Sequence, residues 1–272
     1  MAHKKENVSL ARRRYLKTVQ NYRRRVLFCQ ISVLVAFVFA WEFAARWGLI
    51  DSFVFSMPSR IIATYANMAE NRLLTHIGVT VFETLTGFLL GAVIGTVSAV
   101  ILWWNPFIAK VSEPYLVVLN SLPKIALGPV IIIIAGAGTK AIVVMALAIS
   151  LVVTVLEMLN GFLRTDPEYI RMAETFGAKR RQIFFKIVLP YNIPTLFNSL
   201  KINIGLSLVG VIAGEFLVSK AGLGYLIVYG GQVFKLDLVM ASVIILSVVA
   251  ALMYEAVNLL QKLVARRISH EG

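Results

Sequence analysis

Six stretches of the chain are long and almost wholly apolar, and short polar segments separate them. An α-helix needs about 20 mostly apolar residues to cross a bilayer, where each backbone polar group must be satisfied internally. The stretches are residues 26–47, 77–103, 111–135, 141–163, 195–217 and 238–260. The pattern therefore predicts an all-α polytopic membrane protein with six transmembrane helices and both chain ends on one side of the membrane.

The third stretch contains helix-breaking residues in its second half, namely Pro123 and the pair Gly128-Pro129. Proline lacks a backbone donor and its ring collides with the preceding turn of a helix. Inside a membrane such a break is tolerated only where it is packed in protein or lines a cavity. The sequence therefore predicts a kinked third span.

Glycines recur every four residues in two of the stretches, at Gly87, Gly91 and Gly95 and again at Gly210 and Gly214. This spacing lets two helix backbones approach closely in lipid, where apolar attraction between helices is absent. A gate region and ordinary bundle packing both fit the pattern, and ordinary packing is the favoured interpretation.

Composition and charge agree with a membrane location. The chain is 58% hydrophobic and only 15% charged, whereas soluble domains are near a quarter charged, so a soluble enzyme is excluded. The net charge is +13, and 19 of the 27 Lys and Arg residues fall on one predicted face, nine of them in residues 1–25. That face is expected to be cytoplasmic, with both termini there. Because the basic residues flank spans, the lipid bilayer is the expected partner and nucleic acid is not.

Residues with chemical reactivity are sparse and scattered. A single cysteine, Cys29, rules out an intramolecular disulfide, and no His, Cys or Asp cluster has metal-ligand spacing. The chain has no Gly-rich phosphate loop and no grouped acid, base or nucleophile. We therefore expect no catalytic residue, no metal site and no cofactor on this chain, which predicts that it is not an enzyme.

The polar segment 164–190, called the signature loop below, carries clear helix signals. Asp166 is a good N-cap, Pro167 suits the first helical position, and Gly177 suits the left-handed residue after a helix end. A short helix over 167–176 is predicted, with Ile170, Ala173 and Phe176 on one stripe, followed by a second over 179–188. Such a pair of helices either receives a docking partner or lies on the lipid surface, and these residues alone do not separate the two.

The spacing in this loop resembles the signature of permease subunits of ABC importers, which reads Glu-Ala-Ala, three residues, Gly, nine residues, Ile, one residue, Leu-Pro. Here Ala173, Gly177, Ile187 and the pair Leu189-Pro190 match, whereas the first two positions are Arg171 and Met172. The resemblance implies an ATPase-coupling loop whose residues would be Ile170, Ala173, Glu174, Phe176, Gly177, Ala178, Ile187, Leu189 and Pro190.

Three other segments resemble the nitrate/sulfonate/taurine branch of this family, at residues 122–129, 214–216 and 222–227. The resemblance implies the type I importer fold over residues 56–267, preceded by a basic tail at 1–25 and a first transmembrane helix with an outer segment at 26–55. It implies a homodimer of permeases, two cytoplasmic ABC ATPase subunits that bind ATP and Mg, and an extracytoplasmic solute-binding protein. The implied location is the bacterial inner membrane. The expected solute is a small anion of the nitrate, sulfonate or taurine kind, or a small vitamin such as a thiamine precursor.

Polar side chains inside the predicted spans are costly and are candidates for the solute pathway. The candidates are Asn120, Ser121, Lys124, Asn203, Ser207 and Glu215. For Lys124 and Glu215, a buried Lys–Glu pair or an interfacial side chain is an alternative interpretation. Glu157 and Glu255, near the inner ends of spans, are expected to be structural.

Two outer segments have helical character. Residues 48–76 contain Pro58 followed by Ile61, Ile62, Tyr65 and Met68 at helical spacing, and residues 219–237 contain four glycines around an apolar run. The second is expected to form a short outer helix near the dimer axis, as part of an outer gate or a dock for the binding protein. An ion-coupled secondary transporter and a membrane scaffold remain alternatives, although no inverted repeat is evident.

Overall fold

The computed structural model describes residues 10–67 and 72–271, and the described residues are helical throughout, without a strand. They fall into two compact units, one ending at Ala63 and the other beginning at Thr64. The helices are α1 Leu10–Arg46, α2 Ser52–Phe55, α3 Pro58–Ala66, α4 Leu73–Trp104, α5 Pro106–Ser121, α6 Gly128–Ala135, α7 Thr139–Leu163, α8 Pro167–Thr175, α9 Arg180–Ile183, α10 Leu189–Tyr191, α11 Ile193–Val218, α12 Leu223–Gln232 and α13 Leu236–Glu271.

The first unit consists of the long helix α1 and the outer segment that follows it. α1 begins well before the predicted span, so part of the basic region 1–25 is continuous with the transmembrane helix. Near its end, Glu42 accepts hydrogen bonds from Arg46 at 2.7 Å and from the hydroxyl of Ser59 at 2.9 Å. These bonds tie the end of α1 to the start of α3, which begins at Pro58 as the sequence predicts. Met68, expected on the same helix, lies outside the described residues.

In the second unit, α7 is the central helix and packs on both α4 and α11, whereas α13 packs on α11 and α12. The glycine spacing explains this arrangement. A Cβ atom at Gly87, Gly91 or Gly95 would come within 3.0 Å of α7, where the opposing residues are Ala146, Ser150 and Thr154. A Cβ at Gly210 would likewise meet the Ala146 backbone. The interpretation of these glycines as bundle packing is confirmed, because small residues alone permit this helix separation.

The third predicted span is broken. The chain bends by 83° at Pro123. Before the bend lies α5, and after it a turn of 3-10 helix at Lys124–Leu127 continues into α6. Within the described residues, five helices are long and apolar enough to cross a membrane, and the bent pair is a sixth if it counts as one span. The predicted kink is therefore confirmed, and its cause is the proline that cannot donate to the preceding turn.

Candidate functional site

Helix α8 of the signature loop begins at Pro167, as the sequence predicts, and ends at Thr175, one residue before the predicted end. Asp166 accepts a hydrogen bond from the Glu168 N–H at 2.9 Å, and Pro167 is the first helical residue. Beyond the C-cap Phe176, Gly177 adopts φ +75°, and the Ala178 N–H donates to the Ala173 carbonyl at 3.0 Å. No neighbouring atom lies within 4 Å of a Cβ built at Gly177, so backbone conformation rather than space requires glycine there.

The second helix of the loop is less regular than the prediction over 179–188. It begins as a turn of α-helix at Arg180–Ile183, widens to a turn of π-helix at Phe184–Val188, and continues as α10. Pro190 has no N–H to donate to the carbonyl one turn earlier, and its ring would collide with that carbonyl in a regular helix. We attribute the wider turn to this proline. Asn192 then separates the loop from α11.

A buried aromatic cluster fixes the signature loop to the bundle. The Phe184 ring lies 5.0 Å from the Trp103 ring of α4 and 5.5 Å from the Phe162 ring of α7, measured between centroids. Arg180 donates to the Trp103 carbonyl at 3.0 Å and stacks its guanidinium over the Trp103 ring at 5.2 Å. Ala173 of α8 belongs to the same cluster. The loop is therefore anchored to both α4 and α7.

The predicted apolar stripe of α8 divides between two faces. Ala173 is buried and Ile170 packs against the cluster, whereas the Phe176 side chain is 85% exposed. Phe176 lies at the C-cap, where helical geometry ends, so helical spacing no longer fixes its direction. Together with Tyr169 and Met172, which are about half exposed, it forms an apolar surface that we call the α8 outer face.

The other residues of the predicted coupling loop divide between surface and cluster. Glu174, Gly177 and Pro190 are exposed, whereas Ala178, Ile187 and Leu189 are half-buried and pack on the cluster.

The predicted pathway residues fall into two groups. Asn120, Ser121 and Lys124 lie at the break between α5 and the 3-10 turn, where the Lys124 ammonium donates to the Asn120 carbonyl at 2.9 Å. Asn203 and Ser207 are buried on α11, and Asn203 donates to Thr154 at 2.7 Å. Among the described residues, Asn203 Oδ1 and Ser207 Oγ have no hydrogen-bond partner.

Glu215 has a role that sequence reasoning missed. Its carboxylate, 1% exposed, accepts a hydrogen bond from the Thr80 hydroxyl at 2.6 Å and another from the Gly224 N–H. The same Thr80 hydroxyl accepts from the Leu223 N–H at 2.7 Å, and His76 Nδ1 accepts from the Gly222 N–H at 2.9 Å. Side chains of α4 and α11 thus satisfy the free N–H groups that begin α12, an arrangement that we call the α12 cap.

The glycines around the α12 cap follow from this arrangement. A Cβ atom on Gly222 or on Gly224 would overlap the Glu215 carboxylate. Gly222 also adopts φ +117°, a conformation that other residues avoid. Glu83 is equally buried, and its Oε2 has no hydrogen-bond partner among the described residues. The Gly-Leu-Gly sequence at the start of α12 therefore leaves room for the buried Glu215 carboxylate. No local sequence signal reveals that these two segments contact each other.

The family of binding-protein-dependent transport system inner membrane components matches residues 87–270, more than half of the chain. The chain belongs to this family. It is accordingly the multi-pass permease subunit of an ABC importer, and it is not an enzyme because the ATPase of such importers is a separate subunit. This membership excludes the secondary-transporter and scaffold alternatives.

Several curated permeases are similar over most of their length. A probable ABC transporter permease protein of Haemophilus influenzae is 27% identical, covering 80% of this chain and 89% of the relative. A formylaminopyrimidine transport permease of Halalkalibacterium halodurans is 26% identical, covering 82% and 89%. A taurine transport system permease of Escherichia coli is 22% identical, covering 88% and 89%. These relatives confirm the resemblance to the sulfonate/taurine branch.

Solved structures of ABC importers share the fold of this permease. A chain of the MetNI methionine transporter in an inward-facing conformation superposes with a TM-score of 0.64 at 21% identity, covering 71% of this permease and 95% of that chain. A chain of a bacterial alginate importer gives 0.62 at 14% identity, covering 92% and 98%. The type I importer fold predicted from the sequence is therefore confirmed.

Proposed function

We propose that two copies of this permease enclose a pathway for a small solute, and that a cytoplasmic ATPase subunit docks on the α8 outer face of each copy. In this proposal ATP and Mg bind the ATPase subunits, and an extracytoplasmic binding protein delivers the solute. Both termini and the signature loop are cytoplasmic, since that orientation puts 19 of the 27 basic residues on the inner side.

The observation that carries this proposal is the contrast between the two faces of α8. One face is fixed to α4 and α7 through the aromatic cluster, and the other presents a largely exposed Phe176 beside the half-exposed Met172 and Tyr169. Exposed aromatic side chains on a rigid support are the usual anchors of an interface. A helix capped at both ends passes rigid-body motion of its partner to the helices beneath it.

The transported solute is proposed to be small, since the relatives named above carry taurine or formylaminopyrimidine. Asn120, Ser121 and Lys124 are proposed to meet it, because they lie at the exposed break of the third span, where irregular backbone is expected to line a cavity. We assign Asn203 and Ser207 to the same pathway only in a conformation that separates α11 from α7, because both are buried here.

The test is co-purification of the permease with its ATPase from detergent, followed by ATP hydrolysis in lipid nanodiscs with and without loaded binding protein. Phe176→Ala is expected to weaken ATPase association at least about tenfold, which corresponds to about 1.4 kcal/mol. Phe107→Ala is the matched control, since Phe107 is a similarly exposed aromatic residue outside the loop. Equal association of both variants with the ATPase would refute docking on the α8 outer face.

A further inference from the structure

A polar cleft opens between the end of α7 and the start of α11, beside the point where the signature loop begins. Its volume is about 430 Å³, within the range of small-molecule sites. Eight of its nine lining residues are polar, although both helices are candidate membrane spans. The lining residues are Glu157, Asn160, Gly161, Arg164, Tyr191, Asn192, Thr195, Asn198 and Ser199.

The polar residues of the cleft form one stripe on each helix. On α7 and its C-cap, Glu157, Asn160 and Arg164 are spaced by three and four residues, so they share one face. On α11, Thr195, Asn198 and Ser199 repeat that spacing. The two polar stripes line one cleft, which therefore offers hydrogen-bonding groups to a polar molecule.

The floor of the cleft is held in place before any ligand binds. Asn192 is buried, and its amide donates to Thr165 Oγ1 and to the Val188 carbonyl, both at 2.8 Å. Ser199 is also buried and accepts from Asn203 at 3.2 Å. A Cβ at Gly161 would come within 2.8 Å of Asn192, so glycine keeps the two helices close there. Such fixed groups lower the ordering cost of binding.

The two charged residues of the cleft lack partners among the described residues. Glu157 Oε2 is inaccessible to solvent and accepts no hydrogen bond, although the sequence suggested a merely structural role for this residue. Arg164 forms no ion pair or hydrogen bond through its side chain with the described part of the chain. Glu157 is half-buried and carries a negative charge at the cleft, so a cationic group bound there would pair with it.

We propose that this cleft binds a small zwitterion, with its anionic group at Arg164 and its cationic nitrogen at Glu157. The two residues are seven positions apart, so their Cα atoms lie about 10.5 Å apart along the helix. The two positions share one helix face two turns apart, so their side chains can flank a single ligand that carries both charges. The amides of Asn160 and Asn198 are available to bind its neutral polar atoms.

A solute with one charge does not fit the cleft equally well. A simple anion would leave Glu157 unpaired and would be repelled by it, and a simple cation would leave Arg164 unpaired. The inference rests on the proposed function, since the cleft would be the cytoplasmic end of the solute pathway. It narrows the solute class from small anions to small molecules that carry both charges.

The experiment is saturation-transfer difference NMR on the full-length permease with its ATPase in lipid nanodiscs. The probes are three zwitterions, namely glycine, taurine and 4-aminobutyrate, and two singly charged molecules, ethanesulfonate and ethylamine. At least one zwitterion is expected to bind the wild type at least about tenfold more tightly than either singly charged probe. No zwitterion signal, or equal signals from all five probes, would overturn the inference.

Two variants test the assigned roles. Glu157→Gln and Arg164→Gln are each expected to weaken zwitterion binding about tenfold, and Glu157→Gln is expected to strengthen ethanesulfonate binding. Stronger ethanesulfonate binding would show that the variant is folded and has lost only the negative charge, because a misfolded variant would bind every probe more weakly. The controls are Glu113→Gln and Lys110→Gln, at exposed positions on α5. They should change neither zwitterion binding nor ethanesulfonate binding. Unchanged probe selectivity in Glu157→Gln would refute its role.

The experiments test the zwitterion site and the proposed ATPase docking separately. ATPase association is measured on the same preparations, by co-elution. If wild-type permease binds no ATPase, the proposed function fails, and the NMR experiment on the permease alone still decides whether the cleft binds a zwitterion. If the ATPase binds and zwitterions do not, the cleft is not a zwitterion site.

Discussion

Thr80 makes the two central hydrogen bonds of the α12 cap, and its replacement by valine is the sharpest test of that arrangement. Valine has nearly the same shape as threonine but neither donates nor accepts a hydrogen bond. The change would remove the bond to Glu215 at 2.6 Å and the bond from the Leu223 N–H at 2.7 Å. Both groups are buried, so water cannot replace the lost partner.

The expected loss follows from the number of groups left unsatisfied. A buried donor or acceptor without a partner costs about 1–3 kcal/mol, and Thr80→Val leaves one of each, so the start of α12 should be destabilised by about 2–6 kcal/mol. Local opening governs amide exchange, so about 3 kcal/mol corresponds to exchange roughly 100-fold faster. The increase should be confined to residues 219–232 and to their contacts on α13.

The assay is hydrogen–deuterium exchange with mass spectrometry on the permease in lipid nanodiscs. Thr86→Val is the matched control, since Thr86 lies on the same helix, is only half-buried, and donates to the Phe82 carbonyl of its own helix at 2.8 Å. The control should leave exchange in residues 219–232 within about twofold of the wild type, as expected of surface changes. Equal exchange in the two variants would refute the claim that Thr80 holds the start of α12.

Three further predictions address the loop and the broken span. Phe184→Ala should lower the free energy of unfolding by about 3–5 kcal/mol, and with it the midpoint of thermal unfolding, because it removes the central ring of the aromatic cluster. Phe185→Ala, at a half-exposed neighbouring position, should change this midpoint little. Equal midpoints for the two variants would contradict the anchoring role of Phe184. Gly177→Val should preserve membrane insertion, measured by protease protection, but abolish uptake, because valine is strained at φ +75°; normal uptake would argue against a coupling role for the loop. Lys124→Met should change the apparent KM or the rate of uptake, and an unchanged transport profile would remove Lys124 from the pathway.

The sequence determined the elements whose causes are local. Spans could be predicted because bilayer thickness sets their length, and the break at Pro123 because proline cannot be part of a regular helix. The ends of α8 could be predicted because Asp166 and Gly177 act on the backbone within their own turn. The glycine repeat predicted close packing, although it did not identify α7 as the partner of both glycine-bearing helices.

Only the tertiary structure decided how distant polar and aromatic side chains are used. Glu215 meets Thr80 across 135 positions and the start of α12 across nine, so no periodic pattern connects the three. Phe176 turns outward because it stands where helical geometry stops. The cleft at Glu157 and Arg164 exists because the packing of α7 on α11 brings a polar stripe of each helix to the same place. These contacts could not be predicted from the sequence, because each joins residues on different helices and depends on how those helices pack.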